Sequence, residues 1–189
     1  TLCYGYDTAV VRILEVNADI VFPNNRQYFC TNDPSVTITG INVVNATGYF
    51  TIQGGTGLTD HGNNTATINP RVLSPGSYRI TYYYYDGTTL SVHKDITIGA
   101  PPEASFSWET ECFTEGEPIN LNDNSTSSSG TINSYKWKFF KSSGYDSLMT
   151  KNVVYTYSQP GSYIVELQIT TVNGCADTLR KIFPLRPTI

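Results

Sequence analysis

The stretch YTYSQPGSYIVELQITTVNGC, Tyr155 to Cys175, decides how this chain is read. After Pro160-Gly161, the residues Tyr163, Val165, Leu167 and Ile169 fall on one face of an extended segment, and Ile164, Glu166, Gln168 and Thr170 fall on the other. A period of two in β-branched and aromatic residues describes a half-buried strand, and Asn173-Gly174 turns it into a hairpin. A shorter echo, SPGSYRITYYYYDGT, runs from Ser74 to Thr88 and ends in Asp86-Gly87.

Pro160-Gly161-Ser162-Tyr163 repeats Pro75-Gly76-Ser77-Tyr78 at an offset of about 85 residues, which is the length of a domain and too long for a solenoid unit. Asp177-Thr178, opening the last strand, is matched at twice that offset by Asp7-Thr8. The chain therefore reads as a window on an array. Residues 1–19 are expected to be the last strand of a preceding module or a lead-in, 20–99 a whole module and 103–189 another. GAPPEA, Gly99 to Ala104, is the joint between them. Pro101 and Pro102 lack N–H groups and hold their neighbours extended, so the joint is expected to be a stiff connector that sets the two modules in an elongated line.

Composition agrees with an all-β chain. Of 189 residues, 39% are apolar and 15% charged, Tyr occurs 14 times and Met once; Gly, Asn and Pro punctuate the chain as short antiparallel strands require. Strands are expected near 104–108, 117–123, 132–140, 152–158, 162–172 and 175–183, and, in the earlier module, near 36–40, 48–53, 66–69, 77–85 and 91–98. No window carries a helical apolar stripe. About seven strands in each repeat suit two tandem immunoglobulin-like β-sandwiches. The tyrosine after each Pro-Gly stands at the start of the penultimate strand, where its hydroxyl is expected to bond back to the corner. Trp137, with Tyr135 and Phe139, is the expected core aromatic opposite Val165 and Leu167.

Charge excludes one class of partner. A net charge of −4 without any run of Lys or Arg offers no footprint for nucleic acid. No apolar stretch reaches the length of a spanning helix, so direct membrane insertion is not expected. TLCYGYD at the start has no signal-peptide pattern, and the sequence reads as a mature segment or an excised piece.

Residues 103–185, with SYKWKFF followed by VVYTYSQPGSYIVELQITTVNGCADT, resemble a PKD domain, an extracellular immunoglobulin-like module. The acidic Asp-Phe-Gly-Asp-Gly stretch typical of that family after its tryptophan is replaced here by Lys138-Phe139-Phe140-Lys141-Ser142. Residues 28–98, with YFCTNDPSVTITG and SPGSYRITYYYYDGT, resemble the Ig-like modules that accompany PKD domains in cell-surface proteins and gliding-motility adhesins of Bacteroidota. The resemblance implies a disulfide between Cys112, early in the second module, and Cys175, which opens its last strand. Closing a loop of about 63 residues would contribute roughly 4 kcal/mol in the chain-entropy model. Cys3 and Cys30 remain; either they pair and staple the lead-in to the following module, or their partners lie elsewhere in the array. Zinc spacing is absent, and the disulfide reading implies an oxidising, extracellular or cell-surface setting.

Candidates for chemistry are few. His61 and His93 belong to no nucleophile or metalloprotease motif, and Glu109, Glu111, Glu115 and Glu117 read as solvated charges of one strand-turn region, so the chain is not expected to be an enzyme. No cofactor is called for. Calcium is the sharpest ligand hypothesis: Asp123 and Asn124 with Asn122 in one loop, and Asp60 and Asn63 with Asn64 in another, offer hard oxygens, although Asx turns account for the same residues. Asn45, Asn63 and Asn124 head N-glycosylation triplets of a kind that arises by chance in an Asn- and Thr-rich chain. Tyr82 and Tyr84 share the inward face of Tyr78 and Ile80. Tyr83 and Tyr85 point outward beside Arg79, as a candidate binding surface for polysaccharide or protein or as cross-strand cover for the sheet.

Three functional readings follow. The first is a structural spacer, or stalk segment, of a multi-domain surface or secreted adhesin, whose partners are the neighbouring modules of its own chain. The second is a module that recognises carbohydrate or protein, and the third is an accessory domain of a secreted hydrolase. A fold motif alone does not choose among them.

Overall fold

A computed structural model describes residues 18–187, and the Asp7-Thr8 repeat and Cys3 lie outside them. Among the described residues there are sixteen strands: β1 (Ala18–Val21), β2 (Tyr28–Cys30), β3 (Val36–Asn42), β4 (Tyr49–Gln53), β5 (Leu58–Asp60), β6 (Thr65–Ile68), β7 (Gly76–Tyr85) and β8 (Thr89–Gly99), then β9 (Phe106–Trp108), β10 (Cys112–Phe113), β11 (Ile119–Asp123), β12 (Ile132–Lys141), β13 (Gly144–Leu148), β14 (Val153–Tyr155), β15 (Gly161–Thr171) and β16 (Ala176–Pro187). Two short 3-10 turns, Pro23–Asn25 and Pro70–Val72, are the helical elements among the described residues. The all-β expectation holds.

The first eight strands form two four-stranded sheets, β1-β3-β6-β5 and β2-β8-β7-β4. The last eight form a five-stranded sheet, β10-β16-β15-β12-β13, and a three-stranded one, β14-β11-β9. Each half is a sandwich around its own core. The first core is built largely from Ile20, Ile38, Ile68, Ile80, Ile96, Ile98 and Tyr82, the second from Phe106, Trp137, Phe139, Phe183, Val165, Leu167 and Ile169. Alternation along β7 and β15 explains this, because every second side chain is directed between the sheets.

Tyr78 donates its hydroxyl to the Ser74 carbonyl at 2.8 Å and Tyr163 donates to Gln159 at 2.6 Å, so the same i to i−4 corner opens β7 and β15. Trp137 is fully buried opposite Leu167, and its indole N–H donates to the Thr150 carbonyl at 3.0 Å. Tyr82 fits in the first core because Gly40 and Gly48 leave room for its ring, where any Cβ would stand within about 2.4 Å of it. Its hydroxyl is satisfied by Asn42 and Asn64, both at 2.8 Å.

Several short edge strands escaped the sequence pattern. β1, β2, β5, β10 and β13 have two to five residues each, too few for alternation to declare itself. Ala18 and Asp19, read from the sequence with a preceding strand, pair with Asn42 and Ile41 and so complete the first sandwich. β2 and β10 share a topology: each runs parallel to the last strand of its own sandwich, β2 to β8 and β10 to β16.

Candidate functional site: the joint between the two sandwiches

The cysteines pair differently from the expectation. Cys30, the last residue of β2, is bonded to Cys175, in the turn between β15 and β16, with Cα atoms 5.7 Å apart and 145 residues between them in sequence. Cys112 is an exposed free thiol. Both expected pairings, Cys112–Cys175 and Cys3–Cys30, are therefore overturned, since each of Cys30 and Cys175 is already engaged by the other. The physical reason lies in topology. Cys175 sits in the β15–β16 turn, whereas Cys112 pairs with Arg186 near the far end of β16, so the length of a long strand separates them. Neither sequence spacing nor the internal repeat could reveal this, because the bond crosses from one repeat into the next.

Both sulfurs belong to buried residues, Cys30 being 1% and Cys175 0% exposed. The turn that presents Cys175 is held by its own chain. Thr171 donates its backbone N–H to the Cys175 carbonyl at 2.8 Å, and its hydroxyl accepts the Cys175 N–H at 3.2 Å. Gly174 takes a left-handed φ of 88° there, which explains why Asn-Gly suits the turn. On the other side, Asp33 fixes the end of β2: its carboxylate accepts the Cys30 N–H at 2.9 Å and pairs with Arg26 at 2.6 Å.

Polar contacts surround the disulfide. The Tyr28 hydroxyl donates to the Ser129 carbonyl at 3.1 Å, and the Ser129 hydroxyl accepts the Ala100 N–H at 2.9 Å. Ser129 lies between β11 and β12, next to the β15–β16 turn, from which Asn173 reaches its carbonyl at 3.5 Å. Gly99 is needed at this point because a Cβ would stand 2.1 Å from the Tyr28 oxygen.

The linker is fastened along its length. Ala100 donates to Ser129, Glu103 donates to the Thr126 carbonyl at 2.8 Å, and Ala104 donates to the Asp177 carboxylate at 2.8 Å. Pro101 and Pro102 have no N–H, and Pro102 is buried. Every backbone donor from Ala100 to Ala104 is thus either absent or spent on the second sandwich. The joint was expected to owe its stiffness to the prolines alone; it also has a disulfide and a docked linker.

The remaining candidates are dispersed. Tyr83 stacks on Tyr49 across β4 and β7, ring centroids 5.0 Å apart and nearly parallel, and Tyr85 is exposed. Asp60 accepts the Phe50 N–H at 3.0 Å, and Asn63 accepts the Thr65 hydroxyl at 2.5 Å. Asp123 accepts the Ser125 N–H at 3.1 Å, and Asn124 donates to the Ser107 hydroxyl at 2.9 Å. Asn63 and Asp123 serve turns, Asp60 ties β5 to β4, and Asn124 ties the end of β11 to β9; among the described residues no group of three or more His, Cys, Asp and Glu converges on a point. His61 lies within 2.9 Å of the Thr67 hydroxyl, Glu109 accepts from Asn120, and Glu111 is paired with Arg186. Tyr157, stacked on Tyr163 and against Phe183, has a buried hydroxyl without a hydrogen-bond partner, and burial drives its pKa well above the usual tyrosine range. No helix among the described residues is long and apolar enough to cross a membrane.

Residues 99–183 match the family model of the PKD domain. No curated protein matches the chain. Among solved structures, the PKD1 domain of the Vibrio cholerae metalloprotease PrtV is 28% identical over 45% of this chain and 96% of its own, with a TM-score of 0.38. The PKD1 domain of Vibrio anguillarum Epp is 22% identical over 48% of this chain and 99% of its own, with a TM-score of 0.40. The fibronectin(III)-like modules of Clostridium thermocellum CbhA are 12% identical over 89% of this chain and 95% of their own, with a TM-score of 0.46.

Proposed function

We propose that the chain is a structural spacer segment of a multi-domain secreted or cell-surface protein, of the kind an adhesin uses to hold a distal part away from the cell. One observation carries the reading: the loops at one end of the second sandwich, Ser129 and the Cys175 turn, are committed to the first sandwich by a buried disulfide and by the docked linker. A recognition module needs such loops free for a ligand, whereas a spacer gains from using them to fix the next unit. The disulfide supports an oxidising compartment, and the match of residues 99–183 to the PKD family supports an extracellular setting.

Small-angle scattering tests this reading. The profile of the intact chain should fit one fixed arrangement of the two sandwiches and should not change with calcium or added polysaccharide. A variant with Cys30→Ser and Cys175→Ser, and with Pro101→Gly and Pro102→Ser, should require an ensemble of arrangements. Closure of the intact chain on a ligand, or specific binding on a glycan array, would replace the spacer reading with carbohydrate recognition.

A further inference from the structure

The sheet β2-β8-β7-β4 and the run β10-β16-β15-β12 share one strand order, and their registers place Cys112 where Cys30 stands. Tyr78 on β7 faces Ile96 on β8, and Tyr163 on β15 faces Phe183 on β16. Three residues beyond those partners lie Gly99 and Arg186. Cys30 on β2 pairs with Gly99, and Cys112 on β10 pairs with Arg186, both in parallel register. The two cysteines are therefore at one topological position, measured from the corner tyrosine of each sandwich. In the first sandwich the occupant of that position is observed: a cysteine from the last hairpin turn of the sandwich that follows. In the second, the thiol is free and exposed.

We infer that Cys112 is the attachment point for a further sandwich of the same build, through a disulfide to a cysteine in that sandwich's last hairpin turn, at the place Cys175 holds here. The inference rests on the spacer reading and extends it, by making the staple a repeated device that passes from each unit to the next. The rest of the joint is not copied. The residue two before Cys112 is Thr110, where the first sandwich has Tyr28 two before Cys30, and Arg186 replaces Gly99, which had to be glycine because Tyr28 leaned on it. The second staple keeps the covalent bond without the Tyr28 contact.

Bond formation needs an oxidant, and a low-molecular-weight disulfide such as oxidised glutathione suffices. The Cys112 thiolate attacks one sulfur of the reagent, forming a mixed disulfide and releasing one thiol. The hairpin cysteine then attacks the Cys112 sulfur and releases the second. The protein loses two electrons and two protons, and both end on the released glutathione.

The test extends the chain at the equivalent junction: residues 1–186 followed by a second copy of residues 100–187 carrying Cys112→Ser. In a glutathione redox buffer, peptide mapping without reduction should recover the original Cys112 linked to Cys175 of the added copy, with Cys30–Cys175 of the original chain intact. Cys112 should no longer be alkylated. A second extension, in which a copy of residues 18–187 carrying Thr88→Cys and Cys112→Ser follows residue 186, supplies a complete two-sandwich unit in case the lone added copy does not fold. Thr88 precedes Thr89 in the first hairpin as Cys175 precedes Ala176 in the second, and Thr89 and Ala176 are paired with Tyr85 and Thr170. Free Cys112 in a folded extended chain, or Cys112 linked to Cys3, overturns the inference. The spacer reading is judged separately, by scattering from the unextended chain.

Discussion

At one register the two sandwiches place opposite kinds of side chain. On the outer face, β7 and β8 set Arg79 against Asp95 in an exposed ion pair at 2.8 Å, while β15 and β16 set Ile164 against Ile182 at the corresponding position. Two residues further along the relation reverses. The first sandwich has Thr51, Thr81 and His93 in a row across three strands, and the second has Lys138, Glu166 and Arg180. Glu166 is nearly buried there, held at 2.6 Å by both cations, and Arg180 lies over the Phe140 ring at 4.7 Å. The inward rows, by contrast, are apolar and aromatic in both. The comparison teaches that the corner tyrosine and the inward alternation specify this fold, and that the outward row is free to be charged, apolar or neutral as the neighbouring strands allow.

The largest test of that comparison separates the two units. Replacing Cys30 and Cys175 together by Ser removes a cross-link spanning 145 residues, worth about 5 kcal/mol in the chain-entropy model. Calorimetry should then resolve two transitions at lower temperatures. A single unchanged transition would mean that the two cores are coupled by something other than the bond. Trp137→Ala comes next. Loss of a fully buried indole should cost about 3–5 kcal/mol and should lower only the transition of the second sandwich once the disulfide is absent.

Glu166→Gln should destabilise the second sandwich by about 1–3 kcal/mol near neutral pH. Lys138, acting first against the cost of burial, and then Arg180 hold the Glu166 carboxyl below its ordinary range. A depressed carboxylate contributes its stability in full above the unfolded value, about 4.3, and loses it as pH falls through the folded value. The penalty of Glu166→Gln measured by urea titration should therefore shrink below about pH 4. Asp95→Asn, which breaks the exposed ion pair of the first sandwich, should leave the urea midpoint unchanged. The smallest contrast is between the corners. Tyr78→Phe and Tyr163→Phe each remove one hydrogen bond worth about 1 kcal/mol. The loss should be greater at Tyr78, whose ring is buried, than at Tyr163, whose bond is exposed.

The long strands were legible in the sequence because period-two alternation is a local signal. β7, β8, β12, β15 and β16 all lie within a few residues of their expected bounds, and the corner bonds of Tyr78 and Tyr163 follow from Pro-Gly-Ser-Tyr alone. The joint was legible only as a place. Pro101 and Pro102 marked it, but Ser129 sat in a serine-rich loop with nothing to distinguish it, and Cys30 was expected to pair with Cys3 or elsewhere in the array, because the repeat offers it no partner in the second sandwich. A contact between repeats leaves no periodic trace, so only the three-dimensional arrangement could assign it. The register equivalence of Cys30 and Cys112 was hidden for a further reason. β2 and β10 are only three and two residues long, and their parallel pairing is invisible to alternation.

The disulfide also limits how far the chain can be drawn out. If the described residues were pulled from their ends, β1 and most of β16 could peel away, but the 145-residue span from Cys30 to Cys175 is bypassed by a single sulfur–sulfur bond. At about 3.4 Å for each extended residue, close to 500 Å of contour is withheld from any tensile load until the bond is reduced. A thiol reductant would release that reserve of length, turning a nearly inextensible link into a long compliant thread.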